Sequence, residues 1–548
     1  MVYLLSQISK YVMILIIVVY TFQAFLALSG GKSDRERMAL FAMQRSEIII
    51  LLFAGIICLF AQSEDILLLI YFLISLILVL GVDGVYHLVY KEAPRQLLSN
   101  MCMLLAIGFI IQARLDLDGA MRQLIITAVV AFGMILVPFL IRKISFLDSL
   151  TWFYAIVGIA ALGIVCLAAT TSYGAKLSLS IAGISFQPSE FIKIVFVFFV
   201  AAIFSKASDF KTVVIATAVA ALHVLILVAS KDLGAALLYF MVYLVMLYVA
   251  TRKLRYVAAG LAAGAAACVA AYYLFAHVRT RVIAWQDPFS VIDDAGYQTA
   301  QSLFAIGSGG WLGTGLGQGL PTSIPVVEED FVFSAICEEL GALFAICLVM
   351  ICLCCYILIL NIAMKTHRLF HKLIALGLGT VYIFQVFLTV GGATKFIPST
   401  GVTLPFISIG GSSMMSTFLL FNIILGLYLF RADESLREEQ EAAVPAFVES
   451  QKRGRRRAAK ADAAAPQAAS SKAAVRKKKQ RDPDIEEPLV REVKISTRVR
   501  PTKQNRKRKY DTDRIEGDDF VNLEITIDPD EIEDYRIDLG EDHGASRK

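Results

Sequence analysis

The sequence predicts an all-α polytopic membrane protein with a long, mostly disordered tail, and three observations carry that prediction. Of the 548 residues, 57% are hydrophobic and the mean hydropathy is +0.66, far too apolar for an ordinary soluble domain. The apolar residues form uninterrupted runs of about 17 to 25, each long enough to cross roughly 30 Å of hydrocarbon as a helix. Basic residues also gather in every second connection, as expected where positive loops stay on the cytoplasmic side.

In chain order, the runs lie near 11–29, 46–62, 65–84, 97–113, 121–141, 149–169, 189–205, 212–230, 232–250, 256–276, 332–362, 370–390 and 413–430, which makes thirteen spans. Lys32, Arg35, Arg37 and Arg45 mark the first connection, and Lys91 with Arg95 the third. Arg142–Lys143, Lys206 with Lys211, Arg252–Lys253 with Arg255, and Lys365 with Arg368 and Lys372 continue the alternation. The expected arrangement is an N-terminus outside, a C-terminal tail inside, and the long loop 277–330 outside. The first run is read as a retained span. Ala27-Leu28-Ser29 loosely resembles a cleavage site, but the apolar stretch is longer than a signal core and the loop after it is basic.

The net charge of +5 conceals a partition: residues 452–509 are rich in Lys and Arg, and residues 511–542 in Asp and Glu. Both blocks lie in the tail, 432–548, which lacks the aliphatic and aromatic content of a core and should be mostly disordered. Anionic lipid or a cytoplasmic protein suits the basic block better than nucleic acid, because the tether holds it at the membrane. The alternation Phe520 to Ile527 could add a strand to a partner. The nine cysteines fall almost wholly inside the apolar runs, without metal-ligand or disulfide spacing, and the six histidines are scattered. They read as small core residues rather than a metal site.

Span seven opens Gln187-Pro188-Ser189-Glu190-Phe191-Ile192-Lys193. Pro188 suits a first helical turn, and Glu190 and Lys193, three apart, share a face. A charged pair inside a membrane helix faces protein or a wet cavity, so it either locks helices together or meets substrate. Asp232, at the outer end of span nine, can cap that helix. The loop 277–330 holds seven glycines between Gly307 and Gly319, Gly309 and Gly310 among them, without the GK[ST] of a nucleotide-binding loop. Such glycines allow tight turns and could bring N–H groups to an anion.

Asp330 ends this polar loop and opens a strongly apolar span. Ser334, Cys337, Glu338 and Gly341 share its helical face at about 100° per residue, whereas Glu339 points the opposite way. Glu338 should lie roughly 12 Å deeper along the axis, so Asp330 is the carboxylate at a cavity, and Glu338 and Glu339 brace the bundle. The segment 391–413, broken by Pro398, Gly401, Pro405, Gly410 and Gly411, is irregular backbone that must be buried or line a cavity. It is read as a wall of the same external cavity, with Ser408, Ser412 and Ser413 offering hydroxyls or capping the last span.

Taken together, FQPSEFIK at 186–193, DLG at 232–234, DPF then GYQ at 287–298, AIGSGGWLGTGLGQG at 305–319, DFVFSAICEELG at 330–341 and GVTLPFISIGGSS at 401–413 resemble, in the same order, the SEDS family of shape, elongation, division and sporulation proteins. That resemblance implies a ten-helix core over 97–431, with about three extra transmembrane helices before it in 1–96. It implies a peptidoglycan glycosyltransferase that polymerises lipid II, with Asp330 essential and a class B penicillin-binding protein as transpeptidase partner. Further cell-wall, division or elongation proteins would meet the tail. Arg114 looks like the family's arginine after its first helix. The usual His-Thr before the aspartate is replaced by Glu328-Glu329, which could raise the proton affinity of Asp330 or help hold a divalent cation, Mg or Mn. Leu177 stands where Trp is common, and the tail is additional.

On this reading Asp330 is the general base, and the polyprenyl diphosphate leaving group needs a cation. Arg114, Lys193, Arg279, Arg281 and Lys395 are available, and Glu190, Asp232, Gln298, Ser408 and Ser412 complete the candidate substrate contacts. A lipid-precursor flippase or a non-catalytic scaffold for the division or elongation machinery are the alternatives.

Overall fold

The structure is a computed structural model that describes residues 2–28, 33–144, 146–168, 170–172, 175–181 and 184–434. Ser29 of the cleavage-like tripeptide lies outside the described residues, as do the charged blocks of the tail and the alternation Phe520–Ile527.

Each apolar run folds as a helix, because in hydrocarbon a backbone can satisfy its polar groups only within the segment itself. The helices before the large loop are α1 (Val2–Leu28), α2 (Asp34–Ser63), α3 (Ile66–Val89), α4 (Arg95–Leu115), α5 (Leu117–Gly133), α6 (Leu136–Lys143), α7 (Thr151–Ala168), α8 (Ser189–Lys206), α9 (Phe210–Ala229), α10 (Leu233–Thr251) and α11 (Leu254–Leu274). The loop contributes α12 (Ala276–Gln286) and α13 (Tyr297–Gly309), and the chain continues with α14 (Val332–Lys365), α15 (Leu369–Ala393) and α16 (Gly411–Glu434). Among the described residues, eleven helical segments are long and apolar enough to span, α5 and α6 counting as one. Helix α7 is shorter, and α8 carries Glu190, Lys193 and Lys206 within an otherwise apolar helix. The fold is therefore that of an all-α multi-pass membrane protein.

The break between α5 and α6 follows from Pro138, which has no N–H to return to the carbonyl four residues earlier. Between α7 and α8, β1 (Thr170–Ser172), β2 (Ala175–Ile181) and β3 (Ile184–Phe186) form an antiparallel meander with Thr170 opposite Ser178 and Leu179 opposite Phe186.

Helix α4 is buried from Gln96 to Ala113 and packs against α3, α5 and α14, while α1 lies along α14. Polar side chains stitch these helices. Tyr20 of α1 shares hydrogen bonds with Ser99 (2.9 Å) and Asn100 (3.1 Å) of α4, and Gln44 of α2 bonds Ser99 (2.9 Å) and Gln96 (3.1 Å). Interhelical bonds of this kind contribute about 0.6 to 2 kcal/mol each in a membrane, enough to fix the register of α1 and α2 on the core. Helix α11 buries none of its residues, packing on α10 and α12 and leaving the rest of its surface exposed, which is why Cys268 is exposed while most of the other cysteines are buried.

Candidate active site

The site begins with a break in a helix. α14 has regular geometry except at Gly341, where φ is 87° and ψ is 166°, so Val332–Leu340 forms a half-helix ahead of the longer remainder. Such a break leaves carbonyls of the first half and amides of the second without helical partners. The glycine-rich loop supplies them. Thr314 and Gly315 donate their N–H groups to the carbonyls of Glu338 and Glu339, both at 2.9 Å. Ala342 and Leu343 donate to the carbonyls of Gly310 (2.9 Å) and Trp311 (3.1 Å). Main chains this close leave no room for Cβ atoms: one built on Gly309 would strike the carbonyl of Cys337, and one on Gly313 that of Glu339.

The loop's remaining amides hold anions, but internal ones. Gly317 (3.0 Å) and Gly319 (3.3 Å) donate to the Glu339 carboxylate, and Leu320 (2.8 Å) to that of Glu338. Glu339, expected on the opposite face, thus grips the same loop as Glu338, because the loop wraps both sides of the break. Arg114 completes the arrangement with its Nε and Nη2 each 2.9 Å from Glu339 Oε1, and a third bond to the Gly319 carbonyl at 3.2 Å. The charge of Arg114 is thereby matched, and these amides meet protein carboxylates.

Asp330 immediately precedes Phe331, the N-cap of α14. It is half-buried, and its carboxylate has no hydrogen-bond partner among the described residues. The wall beside it is the 401–410 segment: Ser408 donates to the Glu329 carbonyl at 2.6 Å, and the Ile409 amide donates to the Glu328 carbonyl at 2.9 Å. A Cβ on Gly401 would lie 3.5 Å from Asp330 Oδ2, so that glycine leaves the carboxylate open. Burial pushes the Asp330 carboxyl up to about 6, with the Arg281 guanidinium opposing the rise and Glu328 adding to it.

Arg281 is the cation of this site. Its Nη1 donates to the Ser399 carbonyl at 3.2 Å, and its charge acts on both Asp330 and Asp232. It has no ion pair among the described residues. Asp232 caps α10 by accepting the Ala235 amide at 3.0 Å and also receives the Ser189 hydroxyl at 3.3 Å. Burial first, and then Glu190, hold its carboxyl above the usual range, with Arg281 pulling the other way.

Deeper in, Lys193 is buried and bonds Glu190 at 2.6 Å and Gln385 Oε1 at 2.9 Å, while Ser416 donates to the same Glu190 oxygen at 2.8 Å. The pair therefore locks α8 to α15 and α16. Of the other predicted residues, Ser412 accepts the Gln187 amide at 3.0 Å beside Pro188, Gln298 reaches the Pro325 carbonyl at 3.4 Å, and Gly410 donates to Gln123 at 3.4 Å. Gly310 turns the loop with φ of 54°, while the half-buried Pro398, the buried Pro405 and the half-buried Gly411 shape the wall. The carbonyl of Lys395 is held by Trp285 at 3.1 Å, and Arg279 is exposed on the face of Tyr272.

The structure thus gathers Asp330, Arg281, Asp232, Gly401 and Ser408, with Glu190 and Lys193 alongside, and commits Arg114, Glu338 and Glu339 to the loop. Gln385 and Ser416 were not foreseen. Their only sequence signal is polarity inside an apolar run, which any helix-facing hydroxyl or amide shares. Among the described residues no three carboxylate, imidazole or thiol groups converge to hold a metal ion.

A family described as cell cycle protein, comprising FtsW, RodA and SpoVE, matches residues 95–432. A peptidoglycan glycosyltransferase RodA of Mycobacterium bovis is 35% identical over 357 residues, 60% of this chain and 76% of that one. A probable peptidoglycan glycosyltransferase FtsW of Geobacter sulfurreducens is 33% identical over 264 residues, 46% of this chain and 70% of that one. Among solved structures, a chain from a study of how a peptidoglycan synthase complex coordinates polymerization and crosslinking superposes with a TM-score of 0.54 at 24% identity, covering 62% of this chain and 98% of its own. The fold is shared.

Proposed function

Because this chain belongs to the FtsW, RodA and SpoVE family of cell cycle proteins, we propose that it is a peptidoglycan glycosyltransferase that polymerises lipid II at the outer face of the cytoplasmic membrane. The observation that carries the chemistry is Asp330: a half-buried carboxylate that has no hydrogen bond among the described residues, lies within the electrostatic reach of Arg281, which has no ion pair among them, and faces an irregular wall.

In the proposed step, Asp330 takes the proton from the 4-hydroxyl of the acceptor N-acetylglucosamine as that oxygen bonds to the donor's anomeric carbon. The bond from that carbon to the diphosphate oxygen breaks, and polyprenyl diphosphate leaves with the electron pair. Single displacement inverts the anomeric centre. Arg281 is the cation assigned to the leaving group, since Arg114 and Lys193 already have carboxylate partners. A base must be ionised to act, so a carboxyl raised to about 6 is charged at neutral pH while keeping more basicity than an ordinary aspartate. Glu328 and Glu329 are the residues that would hold a divalent cation, Mg or Mn, which would supply further positive charge for the departing diphosphate.

The distribution of basic residues supports an N-terminus outside and a tail inside. Arg142 with Asp433, and Arg368 with Glu434, pair at the opposite ends of their helices from Asp330. A class B penicillin-binding protein is the proposed partner, in keeping with the synthase complex whose chain shares the fold.

The test is conversion of fluorescently labelled lipid II to glycan strands by the purified full chain with its transpeptidase partner. Polymer from the wild type and none from Asp330→Asn is expected. Equal polymer from both would remove Asp330 from the mechanism, and transfer of lipid II across a bilayer without polymer would favour the flippase.

A further inference from the structure

The first two helices, α1 and α2, make a contact that the proposed reaction does not use. Ser6 Oγ of α1 donates to the Leu316 carbonyl at 3.1 Å, Gln7 Nε2 to the Thr314 carbonyl at 3.0 Å, and Lys10 Nζ to the Gly313 carbonyl at 3.1 Å. From α2, Gln62 Nε2 donates to the Leu316 carbonyl at 2.7 Å. Ser6 and Lys10 are buried, one turn apart on one face, with Gln7 beside them. A lysine in a membrane helix is expensive. Lys10 has no carboxylate partner among the described residues; its ammonium meets a loop carbonyl and lies 4.8 Å from the centroid of the Tyr11 ring.

The same short stretch of loop is thus held from two sides. Its carbonyls at Gly313, Thr314 and Leu316 are held by α1 and α2, and its amides at Thr314, Gly315 and Gly317 hold the carbonyls of Glu338 and Glu339 and the Glu339 carboxylate. Packing is close enough that a Cβ on Gly315 would lie 2.9 Å from Ser6 Oγ. At the far end of the half-helix Val332–Leu340 stands Asp330, about 14 Å away at 1.5 Å per residue. A tilt of about 5° at the break would shift Asp330 by roughly 1 Å, and a displacement of that size can cost on the order of a hundredfold in rate.

We propose that α1 is a positioning element for the reaction: Ser6, Gln7 and Lys10, with Gln62, clamp the loop that closes the break in α14 and thereby set the half-helix carrying Asp330. The proposal rests on the glycosyltransferase reading for its effect on rate, and on geometry alone for the clamp.

Two measurements on the full chain with its transpeptidase partner test it, using Lys10→Met, Gln7→Ala and the triple variant with Ser6→Ala. Lipid II polymerisation should show kcat lowered about 10- to 100-fold in the triple variant with KM held within about twofold. Lys10→Arg should restore most of the turnover lost in Lys10→Met. Amide hydrogen exchange over 310–319 and 338–344 should quicken at least about tenfold, with α15 unchanged. Unchanged exchange at the loop, or faster exchange with full kcat, would overturn the proposal, as would faster exchange spread equally through α15. If the wild type itself makes no polymer, the glycosyltransferase reading fails, and the exchange response alone decides whether the clamp exists.

Discussion

Gly341 and Gly313 meet backbone to backbone: a Cβ on Gly341 would collide with the amide nitrogen of Gly313, and both residues have positive φ, 87° and 75°. The contact lets a loop remote in sequence complete the hydrogen bonding of a broken membrane helix, since any side chain there would push the two main chains apart.

Gly313→Ala and Gly341→Ala should therefore each destabilise the protein by about 2 to 4 kcal/mol, combining backbone strain with steric displacement. Gly307→Ala is the control, because its Cβ would meet nothing within 4 Å and α13 gains up to about 1 kcal/mol of helix propensity. Thermal unfolding in detergent, followed by tryptophan fluorescence, should separate the two classes.

Removing one partner of the Arg114–Glu339 pair leaves the other charge poorly solvated. Arg114→Met should cost about 3 kcal/mol and loosen the loop amides at Gly317 and Gly319, which share the Glu339 carboxylate. In a double-mutant cycle with Glu339→Gln, the second substitution should cost much less than it does alone.

The raised carboxyl of Asp330 sets an acid limit on turnover. Below a pH of about 6, kcat should fall roughly tenfold per unit. Arg281 opposes the rise, so Arg281→Met should shift that limit upward as well as lowering kcat. A pH profile of polymerisation checks both, and an unmoved limit in Arg281→Met would separate the two residues electrostatically.

Stability should respond in the opposite sense. A carboxyl whose folded value, about 6, exceeds its ordinary 3.8 favours the folded state fully only below the lower value, and that benefit is lost as pH rises through the higher one. Asp330→Asn should thus be more stable than wild type at pH 7 to 8, by about 1 to 2 kcal/mol, with the gain vanishing below about pH 4. Melting curves at the two pH values read this directly.

The sequence by itself determined thirteen apolar runs, each of which folds as a helix although only eleven helical segments among the described residues are long and apolar enough to span, together with the alternation of basic connections and the candidacy of Asp330. Hydropathy is a local property, and a carboxylate at the mouth of an apolar run is conspicuous wherever the chain goes next. It also nominated several cations without ordering them. Ordering them took tertiary structure, because the partners lie far apart in the chain: Arg114 with Glu339, Lys193 with Gln385, and Arg281 with the Ser399 carbonyl. The glycine-rich loop could be read as an anion cradle because its backbone donors were evident, but only the fold shows that those donors close the break at Gly341 and bind Glu338 and Glu339. Lys10 was simply a charge near the start of the first span until the fold brought it within 3.1 Å of the Gly313 carbonyl. Periodicity encodes which face of a helix is apolar; which distant carbonyl that face will meet depends on how the helices pack.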